Sequence, residues 1–258
     1  MQPYNTSGFR PEPDNPKHWI FEDQLRDRMV QTTTGDVDLR PWTTPRHNQR
    51  WSSSCVAQAT VKALEIKRVQ EHGHEAHIDL SRLAVYYLCR ELMNPPECTV
   101  DEGTHISFAF DVIRRFGVPP EEAWPWDLKK LHTPPSWKAM RKAYLHKIES
   151  FYKILSGGED RIQAVIECLQ AGNPVVFGTS TGSNWHHYRK GMVLGLPSTV
   201  TGRHATVLVG FEGGKFIGEN SWGTSWGDDG FYLMDPKVIA ASESRDFWVP
   251  QAGFEATR

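Results

Sequence analysis

Four side chains have the types and order needed for acyl-transfer chemistry through sulfur. Cys55 follows Ser52-Ser53-Ser54 and sits just inside the start of an expected helix. Amide N–H groups and the macrodipole at a helix N-terminus favour a thiolate, so a lowered thiol pKa is expected there. His204 follows Gly202-Arg203 and opens the strand-like run Ala205-Thr206-Val207-Leu208-Val209-Gly210. Further on stands Asn220, leading Ser221-Trp222-Gly223-Thr224-Ser225-Trp226-Gly227. A thiolate attacking a carbonyl needs an imidazole beside it, and the imidazole needs an orienting group. An amide oxygen orients without titrating. The oxyanion needs donors, and Gln49 can supply a side-chain amide. Taken singly, a cysteine at a helix start is usually a small core residue, and a histidine at a strand start is usually structural.

The elements that must position these groups follow from periodicity. Val56, Ala59, Ala63, Leu64 and Ile66 form an apolar stripe at helical spacing, and a preceding serine can cap it. A helix is expected over about 54–71. Others are expected after Ser81, over about 105–116 ending at Gly117, near 136–144, and over about 159–171. Strand-like runs occupy about 174–179, 205–212, 215–219 and 230–234. Helices first and strands later imply an α+β fold. Residues 1–36 differ, with Pro3, Pro11, Pro13 and Pro16 ahead of a short helix expected near 21–29. They read as an extended arm, either a pro-segment covering something or a strap docked on the body.

At this point the sequence resembles the papain-like cysteine peptidases, over Val37 to about Met234. The anchors are Val37-Asp38-Leu39-Arg40, Asn48-Gln49 with Cys55 six residues after Gln49, Gly117-Val118 before Trp124-Pro125-Trp126, Arg203-His204-Ala205, Val209-Gly210-Phe211 and Asn220-Ser221-Trp222-Gly223. The resemblance implies a two-lobe fold: a helical lobe over about 37–140 and a β-barrel-like lobe over about 145–250, with a cleft between. It makes Cys55 the nucleophile, His204 its acid–base partner, Asn220 the orienting amide and Gln49 the oxyanion donor. Trp222 then shields the His–Asn hydrogen bond, and Gly103, with Thr104, falls near the glycine that pairs with substrate backbone. Ile106, Gly178, Gly202 and Ala205 would wall the subsite for the second residue upstream of the cut, with Arg203 at its rim. The implied activity is that of a cysteine endopeptidase. A weak relative used for peptide binding, or an acyl transferase or amidase, are the other readings.

The chain also departs from the family pattern. Ser53 replaces a glycine two before the nucleophile, which could narrow the cleft floor or shift the oxyanion amides. Val56 replaces a frequent aromatic, Ser52 a disulfide-forming cysteine, and Arg50-Trp51 a small residue, with Trp51 placed to overhang the primed side. About 36 residues precede Val37, where many relatives carry a longer helical inhibitor prodomain. The chain looks closer to a compact prokaryotic or viral type than to lysosomal enzymes.

Composition excludes other classes. The 258 residues carry 29 basic and 31 acidic side chains, a net charge of −2, without the basic excess of a nucleic-acid binder. No run is long and apolar enough for a transmembrane helix, and no signal peptide is expected from the opening residues. This points by default to the cytoplasm, with leaderless export left open. Ten Trp, seven Tyr and twelve Phe argue for an ordered core. Four cysteines without a CxxC pair suit neither a disulfide scaffold nor a zinc ribbon. Cys89 and Cys98 flank a turn and are expected as free thiols unless the compartment is oxidising. His72, His74, Glu75 and His77 imitate a metal cluster, but Gly73 breaks the helix they would need. Asp228-Asp229-Gly230 reads as a turn rather than a calcium loop. The expected partners are a peptide or protein substrate and the chain's own arm as inhibitor. The chain is expected to be a monomer with neither metal nor organic cofactor.

Overall fold

The computed structural model describes residues 4–13, 15–24, 26, 35–93 and 95–251. Its helices are α1 (Phe21–Gln24), α2 (Cys55–His72), α3 (Arg82–Glu91), α4 (Ile106–Phe116), α5 (Trp137–Ala143), α6 (Gly158–Gln170), α7 (Ser183–His186) and α8 (Pro236–Ala240). The strands are β1 (Val37–Asp38), β2 (Ser150–Ile154), β3 (Val175–Thr181), β4 (Val193–Leu194), β5 (Gly202–Glu212), β6 (Lys215–Glu219), β7 (Phe231–Met234) and β8 (Arg245–Gln251). The helical periodicities end within a residue or two of these bounds. Of the short helix expected near 21–29, Phe21–Gln24 is helical, while residues 25 and 27–30 lie outside the described residues.

The strands form one sheet in the order β2-β8-β3-β5-β6-β7-β4, with β1 pairing β5. This corrects the barrel-like expectation: the sheet stays open, ending at β2 on one side and β4 on the other. Val37 and Asp38, at the start of the expected helical lobe, pair with Phe211 and Gly210 of the sheet. β2 and β8 carry Lys153 and Asp246, which hid their strand character.

α2 overturns the simple amphipathic picture. Its first twelve residues are all buried, polar ones included, because it runs between α3 and α4 on one side and β5 on the other. Gln58, Thr60, Lys62 and Glu65 therefore lie inside the protein. Lys62 pairs with Glu65 at 3.3 Å and with Glu219 of β6 at 3.5 Å. His47 reaches Glu65 at 3.2 Å, Thr44 donates to Glu65 at 2.6 Å, and Arg46 lies 3.7 Å from Glu219. A buried charge persists only when it is paired and hydrogen-bonded. This network joins the helix of Cys55 to the strand that precedes Asn220.

Among the described residues no helix is long and apolar enough to cross a membrane. All four cysteines are free, with Cys55, Cys89 and Cys168 buried. His74 bonds the Pro41 carbonyl and stacks on Trp42, so His72, His74, Glu75 and His77 do not converge on a common point. Asp228 and Phe231 exchange backbone hydrogen bonds around a tight turn, as expected.

Candidate active site

Cys55 is the first residue of α2, and its Sγ accepts a 3.4 Å hydrogen bond from the Ala205 N–H. It is wholly buried, and burial pushes the thiol up to about 12, against the pull of the Ala205, Val56 and Cys55 amides. The expectation of a lowered pKa thus fails in this state. A helix terminus contributes about 0.3–1 kcal/mol, and losing all water around a thiolate costs more.

His204 lies on β5, and its Nε2 is 2.8 Å from Asn220 Oδ1. That oxygen also accepts from the Ser221 N–H at 2.7 Å, which fixes it as the amide oxygen. The imidazole must therefore donate through Nε2. In the neutral ring this leaves the Nδ1 lone pair free, and Nδ1 has no hydrogen-bond partner among the described residues. Burial lowers His204 to about 4, with the Asn220 bond acting the other way. The β5–β6 pairing of Val207 with Glu219 brings His204 and Asn220 together at the end of the ladder. Trp222 lies over His204 at 5.0 Å between ring centroids, and the Trp185 edge approaches at 5.6 Å.

Gln49 is held from both ends. Its backbone N–H donates to the Ser221 carbonyl at 2.8 Å, and its Oε1 accepts from the Ser221 hydroxyl at 2.6 Å. The Nε2 group is thereby turned to donate to the Ser52 carbonyl at 2.8 Å and to the Asn5 carbonyl at 3.4 Å.

Asn5 belongs to the N-terminal arm, which threads the cleft. Tyr4 stacks on Trp222 at 4.5 Å, and His186 lies parallel to both rings. Arg203 N–H donates to the Thr6 carbonyl at 2.6 Å. A Cβ on Gly8 would stand 2.4 Å from the Ser53 carbonyl and 2.7 Å from Cys55 Sγ, so only glycine lets the arm pass. Beyond it, Thr104 N–H donates to Gly8 O at 3.1 Å and Arg10 N–H to Thr104 O at 3.0 Å. Phe9 is 3% exposed and packs so closely on Gly178 that a Cβ there would lie 2.1 Å from its ring. Further along, Glu12 accepts from the Ser107 N–H, while its own N–H donates to Asp246.

The remaining expected residues fall around the same groove. Thr104 pairs with the arm's backbone. Gly103, at φ +81°, lets Gly8 approach: a Cβ would meet Gly8 O at 2.2 Å. Gly202 leaves room for Thr6 in the same way. Ile106 and Ala205 are fully buried, and the Arg203 side chain is exposed. Ser53 does not stand idle on the cleft floor. It donates to the Asp101 carbonyl at 2.7 Å and accepts from Asn5 Nδ2 at 3.2 Å. Trp51 is exposed, and its carbonyl accepts from Asn5 Nδ2.

Sequence reasoning missed the particular arm residues, and His186. A glycine followed by an aromatic in an extended Pro-flanked segment was the available signal for Gly8 and Phe9. It also missed the cluster of buried His47 and Glu65 with the exposed Asp79, whose ligand atoms lie within 4.8 Å of one another. Those atoms are already engaged: Glu65 by Lys62, Thr44 and the Leu80 N–H, and Asp79 by Arg82. The cluster is an ion-pair network rather than a cation cradle.

Comparison with known proteins gives the family. The model of the papain family cysteine protease matches residues 34–245. A peptidase C1-like protein of Acanthamoeba polyphaga mimivirus is 30% identical over 234 residues, 84% of this chain and 74% of the viral protein. Chicken cathepsin K is 26% identical, covering 77% of this chain and 57% of its own. Among solved structures, xylellain, a cysteine protease from Xylella fastidiosa, superposes with a TM-score of 0.82 at 24% identity, covering 98% of both chains. Digestive procathepsin L2 of Tenebrio molitor superposes with a TM-score of 0.75 at 18% identity, covering 96% of this chain and 78% of its own. With a sulfur at a helix start, an imidazole tied to an amide, and a family match across the body of the fold, the chain belongs to the papain family of cysteine proteases, endopeptidases that hydrolyse peptide bonds.

Proposed function

We propose that this cysteine endopeptidase acts through Cys55, His204, Asn220 and Gln49 and is held latent by its own N-terminal arm. In this reading residues 1–36 are a pro-segment, and a helical lobe of about 37–140 and a sheet lobe of about 145–250 flank the cleft. The observation that carries the proposal is the passage of Gly8 against Cys55, where a scissile bond would otherwise lie.

With the arm in place, Cys55 and His204 are both neutral, because burial raises one and lowers the other. Removing the arm returns water and substrate to the cleft. The thiol proton then passes to His204 Nδ1, giving a thiolate beside an imidazolium held by Asn220. Sulfur attacks the substrate carbonyl carbon, and the oxyanion takes the place of the Asn5 carbonyl at Gln49 Nε2, with the Cys55 N–H as a second donor. Nδ1–H protonates the leaving amine as the C–N bond breaks, leaving a thioester. Water, losing its proton to Nδ1, attacks the thioester, and Cys55 is expelled as the acid product leaves.

The test uses the full chain carrying Gly8→Val, which cannot seat the arm against Cys55. A peptidyl epoxide should label Cys55 alone, and faster than in the unsubstituted chain. A folded variant that acquires no adduct on Cys55 at neutral pH would overturn the proposal.

A further inference from the structure

We propose that Glu97 and Glu102 form a subsite for a basic side chain at the third position upstream of the cut. The enzyme would then favour substrates with Arg or Lys just before an aromatic residue. The inference rests on the proposed function, since it takes the arm's groove to be the substrate groove.

The observation is a seated guanidinium. Arg10 Nη1 donates to Glu97 at 2.7 Å and Nη2 to Glu102 at 3.1 Å, while Met93 Sδ lies 3.7 Å from Nη1. The arm's main chain is held on both sides of this contact. Thr104 grips it at Gly8 O and Arg10 N, and His105 Nδ1 lies 2.9 Å from Arg10 O. Counting outward from Cys55, Gly8 lies at the sulfur, Phe9 fills the pocket at Gly178, and Arg10 reaches the two glutamates. These are the first, second and third positions on one side of the cut. The arm's chain runs from Trp222 towards Glu97, so a substrate that presents the same side chains runs the opposite way. It reads basic, aromatic, small, cut.

Glu97 is prearranged for this. Its backbone N–H donates to the Arg90 carbonyl, and its side chain is half-buried. A half-buried carboxylate meeting a guanidinium makes a charge-assisted hydrogen bond stronger than an exposed surface pair. Glu102 is more open, so its ion pair with the guanidinium is the weaker of the two and is screened by salt.

The test uses the full chain carrying Gly8→Val and Arg10→Ala, which frees both the groove and the glutamates. Three peptidyl vinyl sulfones, Arg-Phe-Ala, Ala-Phe-Ala and Glu-Phe-Ala, are compared by the rate at which each adds to Cys55, read by mass spectrometry. The Arg probe is expected to react on the order of ten-fold faster than the Glu probe, the worth of one charge-assisted contact. Adding Glu97→Gln and Glu102→Gln should bring the two rates within about two-fold without slowing the Ala probe. Equal rates for all three probes, with Cys55 labelled, would overturn the subsite and leave the peptidase intact. No labelling by any probe in the folded variant would instead overturn the proposed function, and the subsite with it.

Discussion

Tyr4 lies flat on Trp222, with ring centroids 4.5 Å apart and planes within 1° of parallel. Trp222 in turn covers His204 and is almost fully buried. The arm therefore completes a wall around the imidazole as well as occupying the cleft. An aromatic pair of this kind contributes about 0.5–1.5 kcal/mol beyond the area it buries. Tyr4→Ala should accordingly raise the fraction of open enzyme by about 2–10-fold. The rate of Cys55 labelling in the full chain measures this. An unchanged rate would mean that the primed end of the arm contributes nothing to latency.

The arm should also respond to pH through Glu12. Burial, and then the neighbouring Asp246, raise its carboxyl from an ordinary 4.5 to about 7, while the Ser107 N–H and Lys153 oppose the shift. Lys153 pairs with Asp246 at 3.2 Å, so two carboxyls share one ammonium. A carboxyl with a higher pKa docked than free takes up a proton on docking. Docking is thus at full strength below about 4.5 and weakens as pH rises towards 7. Latency should be tighter at pH 4.5 than at pH 7.5, and Glu12→Gln should remove most of this difference. The amide keeps an oxygen for the Ser107 N–H but never ionises. The difference between the two labelling profiles isolates Glu12 from Cys55 and His204, which titrate in both. A Glu12→Gln profile identical to that of the unsubstituted chain would refute the latch.

Gln49 offers a test of the chemistry rather than of latency. Its amide is locked by Ser221 and aimed at the carbonyl of Asn5. In the Gly8→Val background, Gln49→Ala should lower kcat by about 10²–10³ with little change in KM, because an oxyanion donor acts in the transition state. An equal loss carried in KM would assign Gln49 to ground-state binding.

The proposed site was far more legible in the sequence than its surroundings. Cys55, His204, Asn220 and Gln49 are few, rigidly spaced and chemically distinctive. β5 announced itself because Ala205–Val209 are all apolar or small and all buried. β2 and β8 did not, because Lys153 and Asp246 face inward, where the arm's Glu12 joins them. The arm itself could be identified as extended but not placed. Its partners Gly178, Gly202 and Thr104 come from three distant segments. Similarly, Lys62 and Glu65 look like an exposed helix face until the sheet is packed over them.

That buried face yields the last prediction. Lys62 lies between Glu65 of its own helix and Glu219, and hydrogen-bonds Thr44 and the Pro45 carbonyl. Lys62→Met keeps the bulk and removes the charge, leaving Glu219 without its nearest cation in a fully buried setting. Breaking a buried pair from one side costs about 3–5 kcal/mol. Glu219 already carries a raised pKa, chiefly from burial, and would move further up without Lys62. The stability loss should therefore be greatest at alkaline pH and shrink on acidification. The neighbouring Asn220, which fixes His204, would shift with it. Thermal melting across pH 5–9 tests the first point, and kcat in the Gly8→Val background tests the second. A variant that melts like its parent at every pH would show that water or Arg46 takes over the pairing of Glu219. A variant that melts lower but turns over normally would show that the network holds the lobes together without positioning the site.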